Sequence, residues 1–205
     1  MMRIESLSAQ PDMAGRYKVC FSDGSSMRLY KQTVQDFILY TGMELDETQM
    51  KRLKEAASEM SAKMRAVRIV SASSVSKKDL EHRLLQKGED PQYAKKAVSW
   101  MEDLDLLDDR KTAEQIVSRC ISKGYGLARA KQALYEKRID KEYWQDVLAD
   151  YPDQIGFIQA YVAAHLPEES DQKAYKKVID ALIRKGHSYS VIRRVLDYGD
   201  VMEDE

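Results

Sequence analysis

Three stretches of the chain repeat one another, and this repetition restricts the fold more than any single motif. Residues 80–88, 130–138 and 178–186 align on Leu84, Leu134 and Leu182, each opening a Leu-x-x-Lys signature near the end of a basic helical segment. The anchors lie 50 and 48 positions apart. Ala94, Trp144 and Ile192 follow them at one constant offset, and Val98, Leu148 and Leu196 at another, four residues further on. Residues four apart share one face of a helix, so the offsets describe a second helix facing the first. Each unit reads as three helices of about fifty residues, which cannot bury its apolar face alone. The expected fold is mainly α, with tandem three-helix repeats stacked into an elongated curved array. The expected boundaries are 58–107, 108–152 and 153–199, preceded by an N-terminal segment at 1–57 and followed by an acidic tail at 200–205.

Composition agrees and removes other classes. With 205 residues and 43 % hydrophobic side chains, the chain can bury a core as one domain or two small ones. The charged share of 33 % exceeds the roughly 25 % of an ordinary domain. No apolar run approaches the roughly 20 residues that span a bilayer. The opening MMRIESLSAQ lacks the continuous apolar segment of a signal peptide. Cys20 and Cys120 form neither a disulfide framework nor a zinc pattern, which points to a reducing cytoplasm.

The first thirty residues read as a small β-meander. Tyr17, Val19 and Phe21 share one face at period two, Asp23-Gly24 marks a turn, and residues 27–30 alternate again. Residues 4–8 supply a third strand. From Lys31 the period becomes helical, with Gly42 as the stop of a short first helix. Asp46 with Gln49 forms a capping box for a long helix running towards Val70. Ser76, Asp90 before Pro91, Asp108 or Asp109, Asp140, Asp153 and Ser188 read as later helix caps, with Gly88, Gly124, Gly186 and Gly199 as stops and Pro167 in a loop.

The net charge of −1 conceals strong segmentation. Residues 60–100, 110–139 and 173–197 carry net charges of +5, +6 and +5, and the acidic residues gather between them. Stacked in register, the basic helices align into a stripe suited to a polyanion or an acidic protein groove. The candidates are Arg65, Arg68, Lys77, Lys78, Arg83 and Lys87 in the first unit. The second offers Arg119, Lys123, Arg129, Lys131, Lys137 and Arg138, and the third Lys173, Lys176, Lys177, Arg184, Lys185, Arg193 and Arg194. Acids at helix starts and bases at helix ends also suit the helix dipole with no partner at all.

Catalytic chemistry has no constellation to rest on. His82, His165 and His187 lack a second ligand at metal spacing. Gly124-Tyr125-Gly126 lacks the preceding strand and the lysine of a phosphate loop. Asp108-Asp109 is explained by capping, and Cys120 reads as a core thiol beside Ile116 and Val117. The reading is of a non-enzyme without cofactor or metal. The aromatics scattered through the repeats can stack on unpaired bases where exposed, though packing is the commoner use, above all for Trp100 and Trp144.

Residues 76–88, 104–113 and 123–139 resemble, in that order, the first-repeat, inter-repeat and second-repeat signatures of the RecX regulatory proteins. The meander followed by residues 41–45 is similar to the N-terminal extension of some bacterial members. Val75 and Arg138 depart from the pattern, where a basic residue and a glycine are usual, and the third unit is only loosely similar. The resemblance implies a modulator of RecA recombinase that binds the RecA filament on single-stranded DNA and suppresses its ATPase and strand exchange; the chain itself is expected to be a monomer. The alternatives are a protein that binds DNA directly through the same stripe, and a helical adaptor for another partner.

Overall fold

The computed structural model describes residues 1–166 and 172–201, so Pro167 and all but the start of the acidic tail lie outside the described residues. The chain divides into two compact units, one formed by 1–74 and 80–107, the other by 75–79 and 108–205.

The first unit begins with strands β1 (Met2–Leu7), β2 (Arg16–Phe21) and β3 (Ser26–Tyr30), which form the expected antiparallel meander. A two-residue strand, β4 (Glu44–Leu45), adds to the far side of β1, giving the order β3-β2-β1-β4. The inward face carries Ile4, Val19, Phe21, Leu29 and Leu45, joined by Leu39, Met50 and Leu53 from the segments that follow. Each fully buried aliphatic side chain is worth about 1.5–3 kcal/mol, which explains how so small a sheet holds. Helix α1 (Lys31–Asp36) ends well before Gly42, because Ile38 already turns left-handed at φ 49° and sends buried Leu39 into the core.

Helix α2 (Glu47–Ala72) starts with the predicted capping box: Asp46 accepts from Gln49 N–H at 2.7 Å, and Gln49 returns the bond at 2.9 Å. It packs against α4 (Pro91–Asp103). Both helices bury alanines, Ala62 and Ala66 on one and Ala94 and Ala97 on the other, and small side chains let backbones approach closely. Between them in sequence, α3 (Lys77–Gln86) closes at Gly88, whose φ is 83°.

The second unit holds α5 (Asp109–Ser122), α6 (Leu127–Glu136) and α7 (Trp144–Leu148) around Ala113, Val117, Leu134 and Ile139. It also holds α8 (Ile155–His165), α9 (Gln172–Arg184) and α10 (Tyr189–Val201) around Ile158, Val178, Leu182, Ile192, Val195 and Leu196. The repeat anchors Leu84, Leu134 and Leu182 are all fully buried. Asp108 caps α5 through Lys111 N–H at 2.9 Å, and Ser188 caps α10 through Val191 N–H at 3.3 Å. Three expected signals fail in this unit. Asp140 precedes the short 3-10 turn Lys141–Tyr143, but its side chain makes no capping hydrogen bond to it. Asp153 does not cap α8; Gln154 holds that position at φ 57° while its side chain donates to the Ile121 carbonyl at 3.1 Å. Gly199 does not stop α10, which runs through it to Val201.

Candidate partner-binding surface

In the first unit, the basic residues at the end of α2 are tied into the fold. Arg65 is half-buried, pairs with Glu89 at 2.7 Å and donates to the Lys87 carbonyl at 3.2 Å. Arg68 donates to the Ala14 carbonyl at 3.0 Å and to the Tyr30 hydroxyl at 3.3 Å, joining α2 to the meander. Arg83 is half-buried on α3, and Lys87 is exposed at its end.

The second unit gathers more of the predicted cations. A cleft of about 590 Å³ is lined by Lys78, Tyr135, Arg138, Lys141 and Trp144, together with Glu136, Ile139 and Asp140. Lys78 pairs with Asp140, a hydrogen bond that raises the lysine pKa further above its ordinary value. Arg138 follows α6 with φ 55°, the left-handed conformation usually left to glycine, so its side chain is exposed where the helix cap turns outward. Tyr135 is 73 % exposed beside it. Trp144 is fixed by its indole N–H, which donates to the Ile139 carbonyl at 3.2 Å. A guanidinium, ammonium groups and an open aromatic face can together hold a phosphate with its base or an acidic side chain. In the sequence Tyr135 is one of many scattered aromatics with nothing to mark it as exposed, and Lys141 is hidden by the acidic run around it.

The remaining candidates divide by partner. Lys77 and Lys137 are half-buried at the start of α3 and the end of α6. Arg129 reaches Glu136 at 3.4 Å, Arg193 reaches Asp197 at 3.7 Å, and Arg194 reaches Asp153 at 3.1 Å. Lys185 lies over the rings of Tyr125, Phe157 and Tyr161, with its ammonium 5.3–5.9 Å from the ring centres. By contrast Arg119, Lys123, Lys131, Arg138 and Arg184 are exposed with no carboxylate partner among the described residues. Lys173, Lys176 and Lys177 are exposed along α9.

Burial pushes the Cys120 thiol up, away from its reactive thiolate form, and pushes the His187 imidazole down, towards its neutral form. Among the described residues, no three His, Cys, Asp or Glu side chains are placed to hold a metal ion. No described helix is long and apolar enough to cross a membrane.

Comparison with known proteins places this arrangement. Residues 108–148 match the family model described as the second three-helix domain of RecX, and residues 163–196 match that of the third. A Regulatory protein RecX of Clostridioides difficile strain 630 is 25 % identical over 200 residues, covering 95 % of this chain and 94 % of the relative. Another of Vibrio parahaemolyticus is 28 % identical over 151 residues, covering 72 % of this chain and 97 % of the relative. A crystal structure of regulatory protein RecX superposes with a TM-score of 0.65 at 21 % identity, over 96 % of this chain and all of that one.

Proposed function

The chain belongs to the RecX regulatory family, and from that premise we propose that it is a negative modulator of RecA recombinase. In this reading it binds the RecA filament on single-stranded DNA, in the cytoplasm, and suppresses ATP hydrolysis and strand exchange. The observation that supports this most is the set of exposed cations without carboxylate partners on the second unit: Arg119, Lys123, Lys131, Arg138 and Arg184. Such groups cost nothing to release and face acidic protein surface or phosphate readily.

The mechanism is positional. Tandem three-helix modules, with the boundaries 58–107, 108–152 and 153–199, offer several weak contacts on one chain. Linked contacts raise avidity without any single strong site. A filament held at several protomers loses the relative motion that ATP turnover requires, and its access to a second DNA strand. The arginines and lysines at 65, 68, 77, 78, 83 and 87 contribute through the first module. Those already paired inside the fold, Arg65, Lys78 and Arg194, contribute less than Arg138.

Fluorescence anisotropy of labelled single-stranded DNA tests the partner. With DNA alone, binding is weak. On RecA-coated DNA the chain binds far more tightly, and reversing Arg119, Lys131 and Arg138 together to glutamate removes that gain. Tight, steeply salt-dependent binding to naked DNA, unchanged by RecA, would make the chain a direct DNA-binding protein instead.

A further inference from the structure

Three positions of the second repeat depart from those of its siblings, and all three meet in one cleft. One residue past the anchor leucine the repeats carry Leu85, Tyr135 and Ile183. Four past it they carry Gly88, Arg138 and Gly186, and ten past it Ala94, Trp144 and Ile192. Only the second repeat places two aromatic rings and a guanidinium at these points. Tyr135, Arg138 and Trp144 line the cleft of about 590 Å³, a volume within the roughly 300–1,000 Å³ of small-ligand sites. Gly88, Arg138 and Gly186 are all left-handed, with φ of 83°, 55° and 90°. Glycine adopts this conformation freely, whereas arginine holds it under strain, and such strain gathers at ligand sites.

The cleft belongs wholly to the second unit. Its Tyr135 ring is 73 % exposed, while Trp144 is half-buried and fixed by its indole N–H on the Ile139 carbonyl. Tyr135 therefore offers the open face and Trp144 a fixed wall. Lys78 is already paired with Asp140. Glu136 accepts from the Gln132 amide at 2.9 Å and from Arg129 at 3.4 Å. Arg138 and Lys141 are exposed and have no carboxylate partner among the described residues. One cleft thus joins an open aromatic ring, two unpaired cations and two carboxylates.

We propose that this cleft takes one unpaired nucleotide of single-stranded DNA, with the base stacked on Tyr135 and the phosphate at Arg138 and Lys141. Every base offers a flat face to an open ring, so stacking needs no particular sequence. A guanidinium and an ammonium group supply charge-assisted hydrogen bonds to phosphate oxygens. Asp140 and Glu136 choose between the two anionic occupants. Their charge opposes an acidic side chain entering the cleft, but a carboxylate accepts from the amino group of a base such as cytosine. The proposal rests on the filament reading only for the source of the strand; its chemistry needs no RecA.

The probe is a fluorescein-labelled octamer of deoxycytidine, followed by anisotropy as the full chain is titrated in at low salt without RecA. It binds saturably. Tyr135→Ala weakens binding about tenfold or more, and Tyr135→Phe keeps it, because the ring rather than the hydroxyl stacks. The circular dichroism of both variants is unchanged, since the side chain is exposed. Arg138→Gln and Lys141→Gln each reduce the slope of log affinity against log salt by about 0.7, the loss of one phosphate contact on a single strand. An octamer carrying one iodocytosine, irradiated in the complex, attaches to Tyr135 or Trp144. Absence of saturable binding, equal affinity for Tyr135→Ala, or attachment confined to other residues overturns the proposal. So does a polyglutamate peptide that binds with the same dependence on Tyr135, because the occupant is then an acidic protein segment. Oligonucleotide binding that depends on Tyr135, in a chain without effect on RecA's ATP hydrolysis, upholds this site and removes the filament reading alone.

Discussion

The hydroxyl of Ser76 donates to the backbone carbonyl of Lys137 across 2.6 Å and 61 positions of sequence. The same hydroxyl accepts from Asp79 N–H at 3.0 Å, so one buried side chain caps α3 and pins the turn after α6. Ser76→Ala leaves a buried carbonyl and a helix-start N–H without their partner, at a cost of about 1–3 kcal/mol. In a chain of this size the melting temperature falls by about 2–4 °C per kcal/mol. Differential scanning calorimetry reads the shift, and an unchanged melting temperature would show that the bond does not hold the second unit together.

Gly186 is the corresponding point of the next turn, and here no side chain fits. A Cβ at this position would stand 2.3 Å from Arg129 N, a distance that forces backbone to move. Its φ of 90° adds strain to any other residue. Gly186→Ala therefore destabilises the chain by more than about 1 kcal/mol, read from urea unfolding. A gain in stability would contradict this geometry.

Arg138 sits at the same repeat position with a side chain, and its left-handed backbone costs about 1–2 kcal/mol that glycine avoids. Arg138→Gly should raise stability by up to about 1 kcal/mol after glycine's extra chain entropy is counted. It should at the same time weaken binding to RecA-coated DNA, since the guanidinium is lost. Stability and binding measured on one variant thus move in opposite directions; a parallel loss of both would make Arg138 a structural residue.

His187 links pH to stability. It is buried against Phe157, ring centres 5.9 Å apart, and burial pushes its pKa below the ordinary 6.5 despite a hydrogen bond to the Gly124 backbone. As pH falls, the unfolded chain takes up the imidazole proton before the folded one does. This stabilisation is therefore complete above pH 6.5 and is lost as pH falls below it. Urea unfolding at about pH 7.5 and about pH 5.5 should show the decline, and His187→Gln should flatten it. Identical slopes for both proteins would exclude His187 as the cause.

Much of this was legible locally. Asp46, Asp90 and Asp108 cap helices because the bond spans two or three residues and needs nothing distant. The anchors Leu84, Leu134 and Leu182 mark buried positions because helix period and burial coincide. What failed depends on distant parts of the chain. Ile38 ends α1 because Leu39 must reach the core, and Gln154 displaces Asp153 as cap while bonding to Ile121. The basic candidates show the same limit. Charge can be counted in sequence, but Arg194 meets Asp153 across 41 positions and Lys185 settles over three aromatic rings, pairings no local pattern announces.

The central claim is regulation of RecA, and the most direct test is the cognate RecA's ATP hydrolysis on single-stranded DNA while the chain is titrated in. The account predicts inhibition well below one molecule per RecA protomer, weakened when Arg119, Lys131 and Arg138 are reversed in charge. Undiminished hydrolysis at saturating amounts of the folded chain would contradict it.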